Sequence, residues 1–217
     1  MNAEPGSGCG GLTLVEALIV VAVLAVLVAM ILPSMGRARP RSARVNCVNH
    51  LKQIGLAFRQ WSLDNTDKYP MQVSVTNGGA MEWVRQGIAW PAFQVMSNEL
   101  NSRKLLICPT DTSRTNAPSF DRNLQNWELS YFVGVDADET RPQMFLSGDS
   151  NLEIGGGLVQ SGLVTLSTNR LVSWSARRHQ RQGNVGLADG SVQGYSTTRL
   201  REALTNTGDL TNRIIIP

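Results

Sequence analysis

The feature that most constrains this chain is the stretch Leu12–Leu32. Its 21 residues hold two polar side chains, Thr13 and Glu16, and from Ala17 to Leu32 the run ALIVVAVLAVLVAMIL is unbroken. At a rise of 1.5 Å per residue, about 20 helical residues cross the hydrocarbon core of a bilayer. A helix that is apolar on every side has no face to turn to water. The stretch therefore predicts a membrane-spanning helix. An ordinary secretory signal would carry a small-residue cleavage site after the run, but Met35, Gly36 and Arg37 follow it. A lipoprotein signal would place its cysteine after the run, and Cys9 precedes it. The order is glycines first and apolar run second, so cleavage before the run would leave the helix in the mature protein.

The segment GG-LTLVEALIVVAVLAVL resembles the class III signal of type IV pilins and type II secretion pseudopilins. In that family a glycine precedes the cut, an apolar residue follows it, and a glutamate stands at the fifth mature position. Gly11, Leu12 and Glu16 match these positions. Pro33 falls where the family often has a proline at mature position 22. Leu12 stands where the family usually has a methylated phenylalanine. The resemblance implies processing by a prepilin peptidase after Gly11, N-methylation of Leu12, and assembly with other pilin or pseudopilin subunits on an inner-membrane platform. It also implies pairing of the Glu16 carboxylate with the freed Leu12 amine, which offsets the cost of a carboxylate in lipid. Pro33 lacks an N–H and should kink or loosen the helix. Opposing this topology, the leader MNAEPGSGCGG lacks Lys and Arg while RARPRSAR carries four arginines beyond the run. The positive-inside rule would put that basic side in the cytoplasm. The spacing of Gly11, Glu16 and Pro33 outweighs it here.

Beyond Pro40, Cys47, Leu51, Ile54, Phe58 and Trp61 recur at spacings of four, three, four and three. They place one apolar stripe on a helix, with Lys52, Arg59 and Gln60 off it. Asn65 and Tyr69-Pro70 mark its exit. From about residue 70 short β-like runs replace the helical period. They are Met81–Arg85, Lys104–Cys108, Leu129–Val135, Met144–Ser147, Gly162–Leu166, Leu171–Trp174, Val185–Ala188 and Ser191–Tyr195. Asp189-Gly190 is a two-residue hairpin signal. The expected organisation is a cleaved leader (1–11), a transmembrane and filament-core helix (12–32), an amphipathic continuation (33–65) and a β-rich domain (66–217). The expected fold class is α+β, a pilin-like long N-terminal helix packed on a C-terminal antiparallel sheet. The implied location is the bacterial inner membrane, single-pass, with the β-rich domain periplasmic or extracellular and the helix in contact with lipid.

The chain has three cysteines and no C-x-x-C pair, which argues against zinc-ribbon and thioredoxin readings. If Cys9 leaves with the leader, Cys47 and Cys108 remain and can bridge helix to domain; the alternative is two buried thiols. The elements LLICPTD and RRHQRQGNVGLADGSV resemble a cysteine–proline element and an H-x9-D-G element of a pilin subgroup. A second histidine often follows that glycine, and Ser191 stands there instead. His179 and Asp189 are the candidate metal ligands, but a plain hairpin is preferred, so neither metal nor cofactor is expected. His50 reads as a surface residue.

The net charge of +3 is mild and the basic residues are scattered, which does not suggest nucleic-acid binding. No G-x-S-x-G, H-E-x-x-H or P-loop is present, so no catalysis is expected. Two alternatives to a filament subunit stand. One is a membrane-anchored binding module, with Trp83, Trp90, Trp127 and Trp174 facing a carbohydrate. The other is an anchored hydrolase, which would require a deep cleft with convergent polar groups.

Overall fold

The computed structural model describes residues 13–114, 119–120 and 124–217, with the backbone alone for 31–41. The first helix, α1, runs from Leu14 to Leu63. The chain divides into two compact units within it, at Arg41/Ser42.

Leu14–Met30 begins α1 with a cap that the residue types dictate. Thr13 Oγ1 accepts the Glu16 N–H at 3.3 Å, and the Glu16 carboxylate accepts the Thr13 N–H at 2.9 Å. This reciprocal pair satisfies N–H groups that the first turn leaves unpaired. The large apolar side chains that follow, from Leu14 to Met30, are all at least half exposed. The backbone stays helical through Pro33 and Pro40, so the helix does not end at either proline.

The expected membrane-spanning half is corrected by the structure. Among the described residues no helix is long and apolar enough to cross a membrane. The described apolar segment, Leu14–Met30, extends about 26 Å against a hydrocarbon core of about 30 Å, and Glu16 lies in its first turn. The fold is α+β with a β-sheet domain. The pilin-like long apolar helix and the single-pass inner-membrane placement are both withdrawn on this ground.

In the second unit, Cys47, Leu51, Ile54, Ala57, Phe58 and Trp61 of α1 are buried in one core cluster. Short helices follow: α2 (Met81–Arg85), α3 (Trp90–Gln94) and α4 (Ser97–Leu100), then a 3₁₀ turn at Arg103–Leu106. The expected strand at Met81–Arg85 is therefore a short helix, and the one expected at Lys104–Cys108 is a 3₁₀ turn that ends at Leu106. Local apolar runs of this length do not distinguish strand from buried helix.

The strands are β1 (Tyr131–Gly134), β2 (Phe145–Asp149), β3 (Leu152–Ile154), β4 (Gly157–Leu158), β5 (Gly162–Thr165), β6 (Val172–Trp174), β7 (Gln182–Leu187), β8 (Val192–Ser196) and β9 (Arg213–Ile216). Helix α5 (Thr197–Asn206) separates β8 from β9. A six-stranded sheet has the order β5-β9-β1-β2-β7-β8, and a smaller sheet the order β4-β3-β6. All paired strands are antiparallel.

Alternation of side chains across the large sheet separates two cores. Tyr131, Val133, Leu146 and Ile215 join the α1 stripe. Phe132, Phe145, Val185, Leu187, Ile214 and Ile216 join a second core with Leu152, Trp174, Leu200 and Leu204, from β3, β6 and α5. The sheet is thus covered on both faces. Close approach is tight where β7 meets β6: a Cβ on Gly183 would lie 2.4 Å from the Trp174 ring. The Asp189-Gly190 turn joins β7 to β8, with Gly190 at φ 84. That turn is tied to α1, since Arg59 Nη1 donates to the Asp189 carbonyl at 2.9 Å.

Candidate functional site

Two regions carry chemistry that the fold alone does not require. The first is the exposed apolar segment Leu14–Met30 with its Thr13–Glu16 cap. Glu16 has its carboxyl pKa lowered by the bonds it accepts from the Thr13 backbone and hydroxyl. Its observed partner is therefore Thr13 of the same chain. The expected cleavage and methylation positions, Gly11 and Leu12, lie outside the described residues. The same holds for the expected Leu12 amine as partner of Glu16. Pro33 is helical in backbone.

The second region is a buried polar cluster built by four separate pieces of chain. Cys47 comes from α1. Cys108 comes from the loop after the Arg103–Leu106 turn. Asp149 ends β2, and His179 lies between β6 and β7. Cys47 and Cys108 form a disulfide with Cα atoms 5.4 Å apart. His179 Nε2 lies 3.3 Å from Cys108 Sγ and 3.5 Å from Asp149 Oδ2. Thr110 Oγ1 approaches Cys108 Sγ at 3.0 Å. The two cysteines, Asp149 and the His179 side chain are 0–1% exposed.

Asp149 is held by its neighbour across the sheet. Its Oδ2 accepts from the Asn184 backbone N–H at 2.8 Å and from Asn184 Nδ2 at 2.9 Å. Its Oδ1 is buried with no hydrogen-bond partner among the described residues. The register Tyr131↔Asp149 puts the Tyr131 hydroxyl in the same interior. Burial, then the charge of Asp149, push that phenol well above its usual pKa. His179 is aimed inward by an uncommon backbone: His179, Gln180 and Arg181 are three consecutive non-glycine residues with φ between 52 and 60. Each such residue costs of order 1–3 kcal/mol unless its surroundings hold it.

Beside the cluster lies a second ionic centre. Arg178 Nη1 meets Asp111 Oδ2 at 3.1 Å and donates to the Ser130 carbonyl at 3.0 Å, and its Nη2 donates to Ser150 Oγ at 2.7 Å. Burial would raise the Asp111 pKa, but the Arg178 charge and the Ser113 and Ser130 hydroxyls lower it overall. Asp111, Ser113, Ser150 and Arg178 border an open cleft of about 550 Å³, with Arg114, Asn151, Ser175 and Arg177 also on its walls. Neither histidine lines it.

The candidate pair His179 and Asp189 is not brought together. His179 points into the cluster, whereas Asp189 is exposed at the hairpin and accepts the Ser191 N–H at 2.8 Å. The hairpin reading accounts for Asp189 alone. Asp149 escaped sequence reasoning because nothing local distinguishes it from any acid at a strand end. His50 is half-buried rather than freely exposed: its Nδ1 lies 3.0 Å from the Ile107 carbonyl, and burial lowers its pKa against the opposing effect of that bond. Of the four tryptophans considered as a binding face, Trp174 is buried and Trp90 packs against the first core. Trp83 and Trp127 are the exposed ones, at 40% and 53%.

Comparison of the chain with models of known protein families, with curated proteins and with solved structures found no match.

Proposed function

We propose that the chain is a structural subunit of the prepilin type, processed after Gly11 and assembled through its N-terminal apolar helix. The partners are a prepilin peptidase and further subunits of the same kind, in a type IV pilus or a type II secretion pseudopilus. One observation carries this reading: Leu14–Met30 exposes large apolar side chains on every side of the helix. Each gains roughly 1.5–3 kcal/mol on full burial. A single groove covers one face of a helix, whereas a bundle of equivalent helices covers all of them. The G-L-T-L-V-E pattern supplies the second support, since it places a cleavable glycine directly before the segment. The capped first turn fits a helix that begins where processing would leave a new end.

The test is co-expression with a prepilin peptidase, followed by mass spectrometry of the N-terminus. A methylated Leu12 that is lost in Gly11→Ala is the expected result. An intact Met1 in the presence of active peptidase would overturn the reading.

A further inference from the structure

We infer that Cys47, Cys108, His179 and Asp149 form a zinc site in the reduced protein, so that the disulfide and the metal are alternative occupants of one centre. The inference is independent of how the chain assembles.

The donor atoms converge. One ligand atom from each of the four residues lies within 4.8 Å of the other three. Two thiolates, one imidazole and one carboxylate suit a tetrahedral Zn²⁺, which binds sulfur at about 2.3 Å and nitrogen or oxygen near 2.0–2.2 Å. Two sulfurs around such an ion stand roughly 3.8 Å apart, by tetrahedral geometry at that bond length. Reaching it requires the S–S bond to open with small side-chain rotations, and Cα atoms 5.4 Å apart leave room for that.

The carboxylate supplies a second, independent argument. A fully buried carboxylate beside an uncharged disulfide requires compensation. Asp149 Oδ1 has no hydrogen-bond partner among the described residues. Arg178, the buried guanidinium nearby, directs its bonds to Asp111, Ser130 and Ser150. His179 Nε2 faces both Cys108 and Asp149 rather than donating along one axis. A nitrogen shared between sulfur and oxygen in this way points at a common centre. The surroundings also resemble the outer shell of a metal site, with Asn184 fixing Asp149 and Thr110 beside Cys108.

A small dithiol reductant, or two equivalents of a monothiol, donates two electrons and two protons to the Cys47–Cys108 bond. Two protein thiols form, and the reductant leaves as its disulfide. Zn²⁺ then binds both sulfurs as thiolates, and their two protons pass to solvent. Oxidation by a disulfide of the opposite poise re-forms the bond and releases the ion.

The experiment uses the full chain in a Cys9→Ser background, reduced with a phosphine and titrated with Co²⁺ and then with Zn²⁺. Expected is one equivalent of cobalt with tetrahedral ligand-field bands and a thiolate charge-transfer band, all displaced by zinc. The oxidised protein should show none. Asp149→Asn and His179→Gln should each shift the ligand-field bands and weaken binding at least tenfold. X-ray absorption of the zinc-loaded, unmutated-site protein guards against variants that merely misfold, and should find two sulfur and two nitrogen or oxygen neighbours. Absence of cobalt binding by the folded, reduced chain would overturn the proposal. So would a sulfur count other than two, or bands unchanged by both substitutions. In those cases His179 and Asp149 are a buried polar contact beside a structural disulfide.

Discussion

The two described parts of α1 treat apolar side chains in opposite ways. Leu14–Met30 is apolar around its whole circumference and leaves those side chains in solvent. The part in the second unit confines its apolar residues to one stripe, and Cys47, Leu51, Ile54, Phe58 and Trp61 are nearly all removed from water. Lys52, Arg59 and Gln60 take the opposite face, exposed. A helix with a stripe is completed by its own domain. A helix without one has more apolar surface than a single neighbouring layer covers, and this is the surface that the proposed assembly would bury.

The largest effect is expected in the buried stripe. Phe58→Ala removes a fully buried ring that sits edge-on to Tyr69, with centroids 5.8 Å apart. It should lower the stability of the domain by about 3–5 kcal/mol in chemical denaturation. A loss below 1 kcal/mol would show that the stripe is not structural. Reducing the Cys47–Cys108 bridge, in chelator to exclude metal, comes next. For a sequence separation of 61 the loop-entropy relation predicts a loss of about 4 kcal/mol. No change in the denaturation midpoint would mean that the bridge adds nothing to this core.

Smaller effects belong to the exposed segment. Thr13→Ala removes half of the reciprocal cap and should cost about 1 kcal/mol of local helix stability. Faster amide exchange confined to the first turn of α1 is the readout. Leu24→Ala should change domain stability by less than about 0.5 kcal/mol, as for a surface site, while reducing assembly measured by sedimentation. A large fall in domain stability would mean that this segment is not independent of the core.

The smallest effect is one of pH. Burial holds the His50 pKa below the 6.5 of a free imidazole. Between the lowered folded value and 6.5 the unfolded chain binds more protons, so stability rises with pH across that window and is lowest below it. Acidification from pH 7 should therefore lower the melting temperature. His50→Gln should reduce that dependence, and an identical pH profile in the variant would assign it to other groups.

Much of the second unit was legible from short patterns. The 3–4 spacing of the α1 stripe marks a buried face, and the Asp189-Gly190 pair marks the β7–β8 hairpin. The runs at Leu129–Val135, Met144–Ser147 and Gly162–Leu166 contain β1, part of β2 and β5. Other elements were not legible. Met81–Arg85, with three apolar residues in five, reads as a strand yet forms α2, because at five residues the two periods are not distinguishable. The RIII run of β9 lay unread at the C-terminus, and α5 carries too few apolar residues to advertise itself.

The candidate site divides in the same way. With Cys9 assigned to the leader, cysteine counting brings Cys47 and Cys108 together as a bridge candidate, whereas the Thr13–Glu16 cap emerged only with the structure. The length and purity of the apolar run and the spacing of the stripe beyond it are properties of consecutive residues, and are legible without a fold. The meeting of Asp149 with His179 depends on strand register and on three left-handed residues, 179–181. Those contacts join residues 30 positions apart in the chain. That His179 turns toward sulfur and Asp149 rather than toward Asp189 follows from packing alone, because local spacing does not set where four chain segments converge.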